Sequence, residues 1–279
     1  MPSPSKPWAG SVRRVFPAEI TQQPADYLQS LGRVFARFGA DTQDSGNISY
    51  GVDTGDARYF CKTAGDPDDQ APYLDFEARG QLLRNAARLA TTVRHPLLPD
   101  FHQLIESPGG PILVYDWRDG EHLGTPAERR DDPSTPFQRF RALPVERIVA
   151  ALDRLYDLHA DLTAAGWVEG DFYDGALLYD FTQHQLTVMD LDSYVHGPYR
   201  NTMGRMFGST RFMAPEEFAL GAPVDDRTTA YVMARTGLVL LGEGDAFRGT
   251  NPQYDVLQEA TTTRYPSYTA YHTAWLRAR

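Results

Sequence analysis

The chain of 279 residues has one cysteine, Cys61, so no internal disulfide can form. A lone thiol and seven scattered histidines also give no zinc-ligand spacing. Long apolar runs are missing. The most apolar stretch, AYVMARTGLVLLG at 230–242, carries Arg235 and is too short for a membrane span. The opening MPSPSKPWAGSVRRVF has no apolar h-region, which predicts no secretory signal. There is no Lys/Arg-rich tract either. With 27 basic against 37 acidic residues and a net charge of −10, nothing offers nucleic-acid phosphates a continuous track. These absences predict a soluble cytoplasmic protein with no nucleic-acid and no membrane partner.

What is present reads as a globular chain, 42% hydrophobic and 23% charged, long enough for one large domain or two modest lobes. Five prolines in residues 1–24 predict an irregular lead. ISYGV and ARYFCK around the turn DTGD predict two strands, and FHQLIES-PGG-PILVYDW at 101–117 predicts a second hairpin. Apolar residues three and four apart predict helices over 74–93 and 144–166, the second with Pro144 near its start and Gly166 after its end. The stretch between 119 and 140 reads as loop with one short helical turn. ALLYDF and QLTVMDL form two short strands around TQHQ. Beyond residue 215 the pattern is helical in PEEFALG, in DRTTAYVMARTGLVLLG and in SYTAYHTAWLRAR. The expectation is an α+β chain: an irregular lead at 1–24, a sheet-rich lobe at 25–116 with one helix, and a mainly helical lobe at 117–279.

Asp171 follows a long helix and Asp190 ends the apolar strand LTVMD, with a β-hairpin between them. Two carboxylates brought to one side of a cleft suit a metal–phosphate reaction, one orienting a hydroxyl and one binding Mg²⁺. They equally suit two turn or capping aspartates.

Over residues 40–279 the chain resembles the protein kinase-like superfamily. It is similar to eukaryotic-type Ser/Thr kinases in a divergent bacterial-type form, with aminoglycoside-phosphotransferase-like features. GSTRFMAPEEF resembles the end of an activation segment, its A-P-E being Ala214, Pro215 and Glu216. VMDLDSY stands in the D-F-G place, VEGDFYDGALLYD in the H-R-D-x-x-x-x-N place and YFCK in the V-A-I-K place. LVYDWRDGEHL resembles a hinge.

The resemblance implies a small antiparallel-sheet lobe over a helical lobe trimmed at its C-terminal end, with ATP between them. It makes Asp171 the catalytic aspartate and Lys62 the phosphate-binding lysine. Glu77, fifteen residues on, is the candidate ion-pair partner of Lys62. The backbone of Asp116 and Arg118 would meet the adenine edge. Ser45, Gly46 and Asn47 would offer backbone N–H groups to a phosphate. Asp190 would bind Mg²⁺, or Mn²⁺ in its stead.

Several positions depart from the family pattern. Glu169 and Gly170 replace the His-Arg pair, Tyr173 replaces a lysine, and Ala176 replaces the metal-binding asparagine. Asp174 and Asp192 are the candidates for the oxygen that Ala176 lacks. Thr229 stands where an aspartate is expected, and only 63 residues follow Glu216, for which Arg264 is the expected partner.

Three functions stay open. The first is an ATP- and Mg²⁺-dependent phosphotransferase acting on Ser/Thr hydroxyls of a protein. The second is a kinase of small hydroxylated molecules such as sugars or antibiotics. The third is a nucleotide-binding pseudokinase without turnover.

Overall fold

The computed structural model describes residues 14–39, 45–242 and 244–279. The irregular lead expected over 1–24 therefore falls largely outside the described residues. Helix α1 (Pro24–Leu31) leads into strand β1 (Arg33–Phe38), and neither was expected from the sequence. Strands β2 (Ile48–Asp53) and β3 (Arg58–Thr63), helix α2 (Phe76–Thr92), and strands β4 (Phe101–Ile105) and β5 (Ile112–Asp116) follow. All pairings are antiparallel and the sheet order is β1-β2-β3-β5-β4.

Strand alternation decides which side chains enter which core. Tyr59 and Cys61 of β3 pack with Ile112 and Val114 of β5 against Tyr27 and Leu28 of α1. On the other face Leu113 packs with Leu83, Ala86 and Ala87 of α2. Lys62 lies opposite Leu113 in the ladder, so it shares that second face. Helix α2 begins where Asp75 caps it, the carboxylate accepting from the Ala78 amide at 2.8 Å.

The remaining chain is mainly helical. It holds β6 (Glu121–His122), α3 (Pro136–Arg141), α4 (Val145–Ala164), β7 (Trp167–Val168), β8 (Leu177–Asp180) and β9 (Gln185–Val188). Next come β10 (Val195–His196), β11 (Tyr199–Arg200), β12 (Pro223–Val224), α5 (Asp226–Leu241), α6 (Asn251–Thr261) and α7 (Tyr268–Ala278). In α4, Ile148, Leu152, Leu155 and Leu162 recur at helical spacing and are buried. Each such side chain contributes about 1.5–3 kcal/mol. Tyr268, Tyr271 and Trp275 of α7 close this core, the Trp275 indole donating to Asp153 at 2.7 Å. No helix among the described residues is long and apolar enough to cross a membrane.

Glu216 and Arg264 meet as expected. The guanidinium donates to both carboxylate oxygens, at 2.6 and 3.2 Å, and the Thr228 hydroxyl donates to one of them at 2.7 Å. The partners holding it keep the Glu216 carboxyl below its usual range in spite of burial. Arg264→Gln keeps a polar side chain but loses the fork. We expect a loss of about 2 kcal/mol, or roughly 4–8 °C of Tm in a chain of this size. A melt within 1 °C of wild type would contradict this.

Candidate functional site

Two short ladders bracket the segments carrying Asp171 and Asp190. At one end β7 pairs with β10, Val168 opposite Val195. At the other, β8 pairs with β9, Leu177 opposite Val188, and the Met189 amide donates to the Ala176 carbonyl at 2.9 Å. Residues 169–176 and 189–194 must therefore run side by side. The approach is so close that a Cβ on Gly170 would lie 2.4 Å from the Ser193 carbonyl oxygen. No arginine can stand there, which accounts for the glycine before Asp171. Asp171 itself has φ 63°, a left-handed conformation that aspartate tolerates better than most residues. A Cβ on Gly208 would lie 3.4 Å from the Asp171 carboxylate, so the loop and the segment that leads into Ala214–Glu216 are neighbours.

Lys62 reaches this assembly from β3. Its ammonium lies 2.6 Å from Asp192 and 3.3 Å from Asp190. Burial opposes the lysine's charge, but the two carboxylates outweigh it and raise the ammonium above its ordinary range. Asp192 is buried, and burial pushes its carboxyl up to about 6 against the pull of Lys62. Asp190 differs: its side chain is 57% exposed, so both carboxylates meet the lysine but only one is open to solvent. Asn85 of α2 holds this segment, its amide donating to the carbonyls of Tyr194 (2.6 Å) and Asp192 (3.2 Å). The Tyr194 hydroxyl bonds His159 Nε2 at 2.7 Å, while His159 Nδ1 donates to Leu155. That makes His159 the Nδ1–H tautomer, and burial lowers its pKa to about 4.

A cleft of about 520 Å³ opens under the sheet, lined by Phe38, Phe60, Tyr115, Trp117, Leu178 and Met189 together with Asp116 and Arg118. Its size and mostly apolar lining suit a small planar ligand. The Asp116 amide already donates to the Asp100 carbonyl at 2.9 Å, so what its backbone can offer a ligand edge is its carbonyl. Ser45–Asn47 lie at the end of β2 that pairs with Lys62–Thr63. Gly46 has φ 79°, and a Cβ there would strike Pro72 and Arg79, so glycine is required.

The cluster excludes two residues expected in it. Glu77 is exposed in the first turn of α2, and the charges facing Lys62 are Asp190 and Asp192 instead. A glutamate in a first helical turn is favoured there by the helix dipole alone. Asp174 is buried, with its carboxylate on Arg211 at 3.0 Å. That leaves Asp190 and Asp192 as the oxygen donors. Carboxylates suit a hard cation such as Mg²⁺, which completes its shell with waters and phosphate oxygens. Among the described residues, no group of three or more His, Cys, Asp or Glu side chains is placed to hold a metal by itself.

Sequence reasoning missed Asn85 and the way Thr229 is used. The Thr229 hydroxyl accepts from the Glu169 amide at 3.2 Å, a backbone bond that steadies the approach to Asp171. Beneath it lie two buried acids. Burial and the neighbouring Glu217 raise the Glu169 carboxyl well above its ordinary range, and burial lifts Glu217 to about 7. Glu217 accepts from the Ala214 amide at 2.6 Å.

The folded state thus retains a proton that the unfolded chain releases near pH 4.5. Stability falls as pH rises from about 4.5 through about 7. We expect Glu169→Gln to gain on the order of 2 kcal/mol over wild type at pH 8 and under about 1 kcal/mol at pH 5, by denaturant titration. A gain independent of pH would contradict the buried pair.

No protein-family model matches the chain, and no curated protein matches it.

Proposed function

We propose that the protein is an ATP- and Mg²⁺-dependent phosphotransferase that moves the γ-phosphate to a Ser/Thr hydroxyl of a protein acceptor. One observation carries the reading. Lys62, Asp190 and Asp192 form a charged cluster beside the Asp171 loop, below an apolar cleft of about 520 Å³. An apolar slot ending in one cation and several acids is what a nucleotide with a metal-bound triphosphate needs.

The adenine lies between Phe60 on the sheet side and Leu178 and Met189 below, its edge toward the backbone of Asp116 and Arg118. The Lys62 ammonium leaves its carboxylate partners in part to bind the α- and β-phosphates, and Ser45–Asn47 cover them with backbone amides. Asp190, with Asp192 beside it, would hold Mg²⁺, which would supply charge neutralisation for the phosphate groups. The Asp171 carboxylate orients the acceptor hydroxyl and takes its proton as the oxygen bonds to the γ-phosphorus and ADP departs. Tyr173 brings no positive charge to that phosphorus, so the reading calls for a slow enzyme.

A second reading, a nucleotide-binding pseudokinase, is favoured by a specific observation. Asp174 is spent on Arg211 and Ala176 carries no ligand, so two carboxylates must do what a fuller set does elsewhere.

Incubation with γ-labelled ATP, Mg²⁺ and a Ser/Thr-containing protein separates the two. The expected result is label in the acceptor, lost when EDTA is added. Heat stabilisation by Mg·ATP with no label in the protein would overturn the protein-acceptor reading in favour of the pseudokinase one.

A further inference from the structure

Next to the Asp171 loop lies a second pocket of about 300 Å³. It is lined by Arg130, Gln138, Arg141 and Arg211, with Leu238 and Val239 of α5 as its floor. Its place is set by two links to the Asp171 loop. Arg211 pairs with Asp174, three residues beyond Asp171, and follows by three Gly208, where a Cβ would lie 3.4 Å from the Asp171 carboxylate.

The charges here do not balance locally. Among the described residues, the acids set against Arg130, Arg141, Arg211 and the neighbouring Arg248 are Asp174, already held by Arg211, and the exposed Asp131. The Nε atoms of both Arg130 and Arg141 are shut from solvent with no hydrogen-bond partner among the described residues. Burial and the repulsion of Arg211 and Arg248 lower the Arg141 pKa, so its charge sits in an unfavourable field. Arg248 is accounted for, since it donates to the carbonyls of Arg141 and Leu143 at the end of α3. Nothing comparable accounts for the Nε donors of Arg130 and Arg141. In a chain of net charge −10, guanidinium groups concentrated at one pocket are a feature that an anion would relieve.

We propose that this pocket docks an acidic side chain of the acceptor peptide, so that the enzyme selects Ser/Thr hydroxyls in acidic sequences. The inference rests on the protein-acceptor reading above. An acidic residue a few positions from the acceptor hydroxyl would meet Arg130 and Arg141 while the hydroxyl lies at Asp171. Arg–carboxylate pairs of this sort give specificity and a strong dependence on salt.

The test uses two fluorescent serine peptides of equal length, one flanked by glutamates and one by lysines, with binding read by anisotropy. The acidic peptide is expected to bind at least about tenfold tighter at low salt, and Arg141→Gln to remove most of that preference while leaving ATP affinity unchanged. Should Arg141→Gln melt well below wild type, Arg130→Gln on the preceding turn serves in its place. Equal affinity for the two peptides, no binding of either, or an undiminished preference in the variants overturns the proposal. Transfer from labelled ATP to the same peptides separates the two readings. Tight binding of the acidic peptide without transfer leaves the docking pocket standing and removes the phosphotransfer reading. Transfer to both peptides at equal rates does the reverse.

Discussion

Asp171→Asn is expected to slow phosphate transfer by about 10²–10⁴-fold, the usual contribution of a positioned general base. Nucleotide affinity should stay within about twofold, because the proposed reading puts Asp171 at the acceptor and Lys62 pairs with other acids. Asparagine is the informative replacement. The residue has φ 63°, and asparagine, like aspartate, tolerates that conformation. Alanine would add backbone strain of about 1 kcal/mol and blur a chemical effect with a structural one. Single-turnover transfer and ATP titration on the same preparation check both halves. An equal fall in transfer and in nucleotide affinity would make Asp171 a structural residue.

Asp190→Asn is the second large effect. The removed charge is half-exposed, and Lys62 keeps Asp192 at 2.6 Å, so the fold should melt within about 2 °C of wild type. On the proposed reading, transfer should fall by at least about 10³-fold, some 4 kcal/mol of transition-state stabilisation, because an amide would not hold a metal there as the carboxylate would. The Mg²⁺-dependent part of ATP affinity should vanish with it, leaving the metal-free affinity in place. Retention of Mg²⁺-dependent binding and turnover would refute the metal assignment.

The strongly periodic elements were legible in the sequence. The hairpin β2–β3, helix α2, the hairpin β4–β5, helix α4 and the hairpin β8–β9 lie within a few residues of their expected places. Each combines a clear period with its own turn or cap chemistry. Helix α6 was missed because Asn251–Thr261 carries few large apolar side chains, and only Gln253, Leu257 and Ala260 are buried. Its packing against α5, together with the Thr250–Gln253 capping box, makes it a helix. Strand β1 was missed for a similar reason. RVFARF carries two arginines, and β1 owes its extended form to pairing with β2.

At the site, Asp190 could be placed because it follows an apolar strand, and Lys62 through the resemblance of YFCK to a family motif. The partner of Lys62 could not. Glu77, in the helix that follows, was the candidate, but Asp190 and Asp192, more than 120 residues away, are the acids whose carboxylates reach the ammonium. Asn85 and the arginine-lined pocket carry no local signal at all. Their roles come from which carbonyls and which charges the fold brings opposite them.

A crystal structure of the complex with Mg²⁺ and a non-hydrolysable ATP analogue tests the central claim most directly. The account predicts adenine against Phe60 and Met189, phosphates at Lys62 and Ser45–Asn47, a metal on Asp190, and the terminal phosphorus facing Asp171. A nucleotide bound elsewhere, or one whose phosphates point away from Lys62 and Asp190, would contradict it.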